Sequence, residues 1–147
     1  MTMKRAALAI VAAVILIAAL AYLRDPPWLI GLESGLRRWQ NNEDGVRYRW
    51  TDGHASFFVP ASAPSITIPT RVTFDSREDP PVLVTIAIDD RPADSFALRD
   101  DRWLTRRLVM PPPGTRRVRR IDIRVDRLRS GNRGIQLGPV MEVEQGR

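Results

Sequence analysis

The sequence predicts an all-β sandwich, antiparallel and jelly-roll-like, preceded by one N-terminal transmembrane α-helix. Three observations carry that expectation. An unbroken apolar run lies near the N-terminus, the rest of the chain alternates in short runs punctuated by Pro, Gly and Asp, and there is no cysteine in 147 residues. Setting a membrane segment aside leaves roughly 120 residues, the size of one domain with one core. The expected division is an anchor over 1–24, a linker over 25–45 and the sandwich over 46–147.

Ala6 to Leu23 is free of charge, Gly and Pro over eighteen residues, which as a helix span roughly 27 Å, close to the hydrocarbon thickness of a bilayer. Lys4 and Arg5 precede the run, whereas Arg24 and Asp25 nearly cancel after it. The positive excess therefore keeps the N-terminus in the cytoplasm and places the remainder outside, as a single-pass protein of the inner membrane. Membrane lipid is the expected partner of residues 6–23. Ala19 and Ala21 also offer an A-x-A pattern before Tyr22, so secretion after cleavage is the alternative. The length of the run and its lack of a polar end favour retention.

Pro26 and Pro27 stop the helix, and Trp28 suits the membrane interface. Leu29, Leu32, Leu36 and Trp39 approximate helical spacing, while Trp28 to Leu32 equally reads as a first strand; both remain open. Asn41 to Gly45 is a turn. Beyond it, Val46–Thr51 and His54–Val59 are expected to form a hairpin through Asp52-Gly53, a dipeptide that tolerates positive φ. Ile66, Ile68, Thr70, Val72 and Phe74 share one face of a long strand, with Pro69 marking an edge or a bulge. Val82, Val84, Ile86 and Ile88 repeat that period and pair across Asp89 to Pro92 with Ser95–Leu98.

Trp103 to Met110 follows, ended by Pro111-Pro112-Pro113-Gly114. Ile121, Ile123 and Val125 then alternate with Arg120, Asp122, Arg124 and Asp126. The last strand keeps Ile135, Leu137, Met141 and Val143 on one side across a bulge at Gly138-Pro139. Six or seven strands result, and burying their apolar faces requires two packed sheets.

Without cysteine there is no disulfide, thiolate nucleophile or cysteine metal site. The formal charge of +6 falls to about +4 once Lys4 and Arg5 are set aside, and all the other basic residues are arginine. The one histidine, His54, reads as structural, since a lone His cannot close a zinc site. Neither Ser56 nor Ser95 sits in a nucleophile elbow. The pairs Glu78-Asp79, Asp89-Asp90 and Asp100-Asp101 fall in turns, where Asp bonds its own backbone, and EF-hand spacing is absent. No enzyme, metal or cofactor is expected.

Arg116-Arg117-Val118-Arg119-Arg120, continued by Arg124, Arg127, Arg129 and Arg133, is the strongest charge feature. An exported domain has no nucleic-acid partner. Interleaved Asp122 and Asp126 make the run a solvated sheet face or, read as a site, a contact for anionic glycan or lipid headgroups through Arg120 and Arg124. Trp39, Trp50 and Trp103 offer stacking platforms for sugar rings, against the alternative that they fill the core.

Arg49-Trp50-Thr51-Asp52-Gly53, the Val84–Pro92 to Ser95–Leu98 hairpin, Trp103-Leu104 and Arg133-Gly134-Ile135-Gln136-Leu137-Gly138 together resemble galactose-binding-like β-sandwiches of the carbohydrate-binding-module type. They are similar in particular to uncharacterised versions attached to bacterial membrane proteins and glycosyltransferases of cell-envelope polysaccharide assembly. The resemblance covers roughly Val46 to Val143. It implies a non-catalytic, membrane-anchored extracytoplasmic module whose partner is an envelope glycan or a membrane protein, with Trp50, Trp103, Arg120 and Arg124 as ligand-binding residues. The alternative is a structural accessory subunit of a membrane complex.

Overall fold

In the computed structural model, which describes residues 2–76 and 78–143, the chain opens with helix α1, Thr2–Arg24. Twenty-three residues rise about 34 Å, and Leu8, Ile15, Leu16 and Leu20 all stay exposed. The helix is long and apolar enough to cross a membrane, a property that N-terminal signal sequences share. A 3-10 turn, Pro27–Gly31, follows it, with the Leu32 N–H donating to Leu29 O. Of the two open readings of this stretch, one short helical turn followed by a strand is what forms.

Ten strands come after it among the described residues: β1 Glu33–Leu36, β2 Gln40–Asn41, β3 Arg47–Pro60, β4 Ser65–Arg71, β5 Val82–Ile88, β6 Arg91–Leu98, β7 Leu104–Val109, β8 Val118–Val125, β9 Gln136–Leu137 and β10 Met141–Val143. Every pairing is antiparallel. One layer runs β1–β3–β8–β5–β6, and the other runs β3–β9–β4–β7 with β10 farther along β4. The inward faces of both supply the core, where Ile66, Ile68, Val84, Ile86, Ile121, Ile135 and Leu137 are inaccessible or nearly so. The expected β-sandwich is therefore the fold. Residues 144–147 of the expected domain lie outside the described residues.

The expected linker over 25–45 is more structured than its composition suggests. Within it, β1 pairs with β3, Glu33 opposite Phe57 and Ser34 opposite Ser56, and β2 pairs Gln40 with Tyr48. Gly35 makes the first pairing feasible. It sits at φ +64, and a Cβ there would overlap the His54 carbonyl oxygen.

The hairpin expected through Asp52-Gly53 does not form. Residues 47–60 are one continuous strand, and Gly53 is not in the left-handed region. Arg49 and Trp50 pair with β9, whereas His54 to Pro60 pair with β8, so β3 changes layers at this point. A strand that switches sheets needs a bend at the corner, and a turn-prone dipeptide supplies it as well as it would a hairpin. The Asp52 carboxylate is held by Arg37, its Oδ1 accepting from Nε at 3.2 Å.

The other expectations for the strands fare better. Asp89 (φ 49) and Asp90 (φ 66) form a two-residue turn that opposes Ile88 to Arg91, the geometry that follows the strand twist. Pro69 lies inside β4, with β7 on one side and the β9–β10 break on the other. Its carbonyl accepts from Gly138 N at 2.9 Å, so its missing N–H falls where the neighbouring chain is interrupted. That interruption is a bulge: Thr70 opposes Leu137 and Thr67 opposes Met141, three steps against four. The extra residue flips the facing of the chain, which corrects one expectation, because Met141 is exposed and Val140 packs on the core in its place.

A candidate ligand cleft at the pole away from the helix

Antiparallel strands sort the loops to two poles. At one pole lie the end of α1, the Asp89-Asp90 turn and loop 110–117. Asp25 is buried there, its Oδ2 accepting from Arg116 Nε at 2.8 Å and from Arg117 N at 3.0 Å. At the other pole lie the β4–β5 loop, the β6–β7 loop and the 126–134 segment.

The β4–β5 and β6–β7 loops enclose an open cleft of about 460 Å³ lined by Phe74, Asp75, Ser76, Asp79 and Arg99 to Arg102, within the size range of ligand sites. Side-chain hydrogen bonds hold its walls. Asp101 Oδ1 accepts from Phe74 N at 3.0 Å, and Asp79 Oδ2 accepts from Asp75 N and Ser76 N. Arg129 closes the base from the third segment, 2.6 Å from Asp79 and 3.2 Å from Asp75, with its guanidinium over the Phe74 ring at 5.3 Å. Among the described residues Arg99 has no ion pair, and Arg102 has only a 3.7 Å contact with Asp100, both side chains being largely exposed.

Of the expected ligand residues, Trp50 is 6% exposed, lies under Arg133 and packs edge-on to Tyr48. It is covered where it lies, and its ring presents no open face to a sugar. Trp103 is half-buried against Gly138 and Pro69, beneath Arg71. Arg120 and Arg124 lie on the outer face of β8, away from both tryptophans. Arg120 is already committed, its Nε 2.8 Å from Asp122 and its other end on Asp90, while Arg124 is exposed opposite His54. The four residues do not converge on one place. Trp39, the third aromatic candidate, carries both Arg47 and Arg49 at 4.5 Å from its ring centre.

His54 Nε2 lies 3.0 Å from Asp122 Oδ1, and no hydrogen bond joins it to Ser56 or Ser95 among the described residues. Nor is any group of three or more His, Asp or Glu placed there to hold a metal ion. The cleft residues were legible one at a time, as turn carboxylates. Strand parity was the signal that could have joined them, because the loops after β4 and β6 must share a pole.

Three carboxylates sit below the usual range. Asp94 is held down by hydrogen bonds from Arg106, which clips β6 of one layer to β7 of the other at 2.7 and 3.0 Å. Asp79 is held down by Arg129. At Asp89 burial acts upward, but the Arg120 N–H and the Arg119 guanidinium outweigh it. Each lowered carboxylate stabilises the fold above its unfolded value and loses that contribution as pH falls through its folded one. The urea midpoint should thus be flat above pH about 5 and fall below about 4, less steeply in Asp94→Asn. A midpoint unchanged down to pH about 2 would contradict this assignment.

No protein-family model matches the chain, and no curated protein does. Among solved structures, a family two carbohydrate esterase from Clostridium thermocellum in complex with cellohexaose is similar at TM-score 0.50 and 9% identity, over 76% of this chain and 31% of that one. The chain thus spans about a third of the esterase. The CBM36-1 domain of a multidomain xylanase from the hindgut metagenome of Trinervitermes trinervoides is similar at TM-score 0.46 and 12% identity, over 78% and 91%. The sugar-binding EclA C-terminal domain follows at 0.48 and 10%, over 71% and 89%. What this chain shares with the esterase region is the antiparallel β-sandwich fold.

Proposed function

We propose that the chain is a non-catalytic, membrane-anchored extracytoplasmic module that binds an anionic glycan of the cell envelope in the cleft between the β4–β5 and β6–β7 loops. One observation carries the reading: the cleft lies at the pole opposite the helix, and its rim holds the lightly engaged guanidinium groups of Arg99 and Arg102 beside acceptors and an aromatic ring. Sugar recognition uses the same polar set, with carboxylates accepting from hydroxyls and Arg donating in pairs to an acidic group. A site far from the bilayer is open to polymer; one against it is not. The similar esterase, in complex with cellohexaose, supports the same reading.

The test is a glycan array probed with the full chain in lipid nanodiscs, including uronic-acid and phosphorylated polymers. Selective retention is expected, and Arg99→Ala/Arg102→Ala should weaken it by about tenfold or more, since a hydrogen bond to a charged group contributes about 1.5–3 kcal/mol. Both side chains are exposed and outside the core, so folding is unaffected. Blank arrays with a folded chain, or a double variant that binds as the parent does, would sink the reading. A blank array together with stoichiometric retention of a membrane protein would favour the accessory subunit.

A further inference from the structure

We infer that the membrane-side pole carries a second site: a basic groove that takes the phosphate of an anionic phospholipid headgroup and sets the domain directly on the bilayer surface. The inference rests on α1 being membrane-inserted. It is independent of the distal cleft.

The groove, about 760 Å³, lies between the Asp89-Asp90 hairpin and loop 110–117, and Arg91, Arg116 and Arg119 line it with Pro111, Pro112 and Met110. It adjoins the helix end directly. Arg116 is the residue that holds Asp25, next to Arg24, and Arg117 N donates to the same carboxylate oxygen. Asp25 and Pro26 are both buried, so no flexible tether separates the anchor from the domain. Whatever surface α1 emerges from is the surface this groove faces.

The side chains at this pole match that boundary. Trp28, Ile30 and Val109 are exposed apolar residues, 58%, 51% and 78% accessible. Residues of that kind bracket the headgroup layer. Arg119 is pinned by Asp89 and the Pro112 carbonyl, which fixes the groove wall. Arg91 and Arg117 are exposed, and among the described residues neither has an ion-pair partner. Together with Arg24 and the free end of Arg116, they outnumber the carboxylates present, and Asp25, Asp89 and Asp90 are already engaged. A cluster of guanidinium groups beside a helix end suits a phosphodiester, which Arg binds in a planar fork. The lipid, and not a soluble phosphate, is the occupant argued for, because the groove continues into the segment that meets the hydrocarbon.

The experiment uses the full chain in mixed micelles with equal phosphatidylglycerol and phosphatidylcholine, and native mass spectrometry reads the lipid retained on release. Each arginine near an anionic surface contributes about fivefold to association, so the parent should retain the anionic lipid at least about fivefold over the zwitterionic one. Arg91→Glu, a charge reversal in the groove lining, should bring that ratio to parity. Arg99→Glu, the same charge change at the far pole, should leave it unchanged. A parent ratio of one, a groove variant that keeps its selectivity, or an equal loss in the far-pole variant would overturn the inference. Displacement of the lipid by millimolar glycerol phosphate would overturn the lipid assignment in favour of a soluble ligand.

Co-flotation with vesicles of either composition after a carbonate wash tests insertion separately. A chain that does not float fails at the membrane reading, whereas one that floats without lipid selectivity fails at the groove alone.

Discussion

Gly134→Ala is expected to destabilise the domain by about 4 kcal/mol. Gly134 lies where the 126–134 segment meets the corner of β3, and it is buried. Its N–H donates to Thr51 O at 2.7 Å, and the next amide, Ile135 N, donates to the buried Thr51 Oγ1 at 2.9 Å. A Cβ on Gly134 would overlap both the Asp52 carbonyl oxygen and the Thr51 hydroxyl.

Neither obstacle is the far end of a flexible side chain. Relief therefore requires the two backbones to separate, which costs about 1–3 kcal/mol in packing and about 1 kcal/mol for each of the two hydrogen bonds weakened. Urea unfolding of the full chain in detergent measures it. Gly31→Ala is the control, because nothing lies within 4 Å of its new methyl, and its midpoint should match the parent. Equal midpoints for Gly134→Ala and the parent would mean that β3 and the 134–135 segment are not in contact as described.

The same corner shows why one part of the fold was legible in the sequence and another was not. Where a strand and its neighbour in sequence pair locally, pattern and turn chemistry suffice: Val82 to Ile88 and Arg91 to Leu98 alternate, and Asp89-Asp90 takes positive φ between them. Asp52-Gly53 carries the same local signal, but its outcome is decided by segments far away in the chain. Leu36 pairs with Thr51, Arg37 N donates to Trp50 O, and Gln136 pairs with Trp50. Those partners hold residues 47–60 extended through the dipeptide, and nothing within the dipeptide announces them.

The cleft was obscured for a related reason. Asp79 and Asp100 each satisfy amides of their own turn, and only the antiparallel order of β4 to β7 brings the two turns together. Asp101 joins them by accepting from Phe74 N, and Arg129, which braces the first, comes from some fifty residues beyond Asp79. The expected ligand residues lie apart for the opposite reason, because residue type suggested a shared role and position separates them. Trp50 sits at the step where β3 leaves one layer for the other, and Arg133 and Tyr48 cover its ring there.

Trp50→Ala separates those two roles. If the ring were a sugar platform, its removal would weaken ligand binding and leave stability near the parent's. Because it is 6% exposed, packed on Tyr48 and roofed by Arg133, its loss should destabilise by about 3–5 kcal/mol, the range for a buried Trp truncated to Ala. The residual cavity sits beside the Thr51–Ile135 contact, so Gly134→Ala and Trp50→Ala should not be additive. Trp28→Ala, 58% exposed beside the helix end, should leave the urea midpoint within about 0.5 kcal/mol of the parent. Ligand affinity measured per folded molecule in the distal cleft should be unchanged by Trp50→Ala, whose ring does not line it. A variant that unfolds at the parent's midpoint but no longer binds would return Trp50 to the ligand site and displace the cleft from that role.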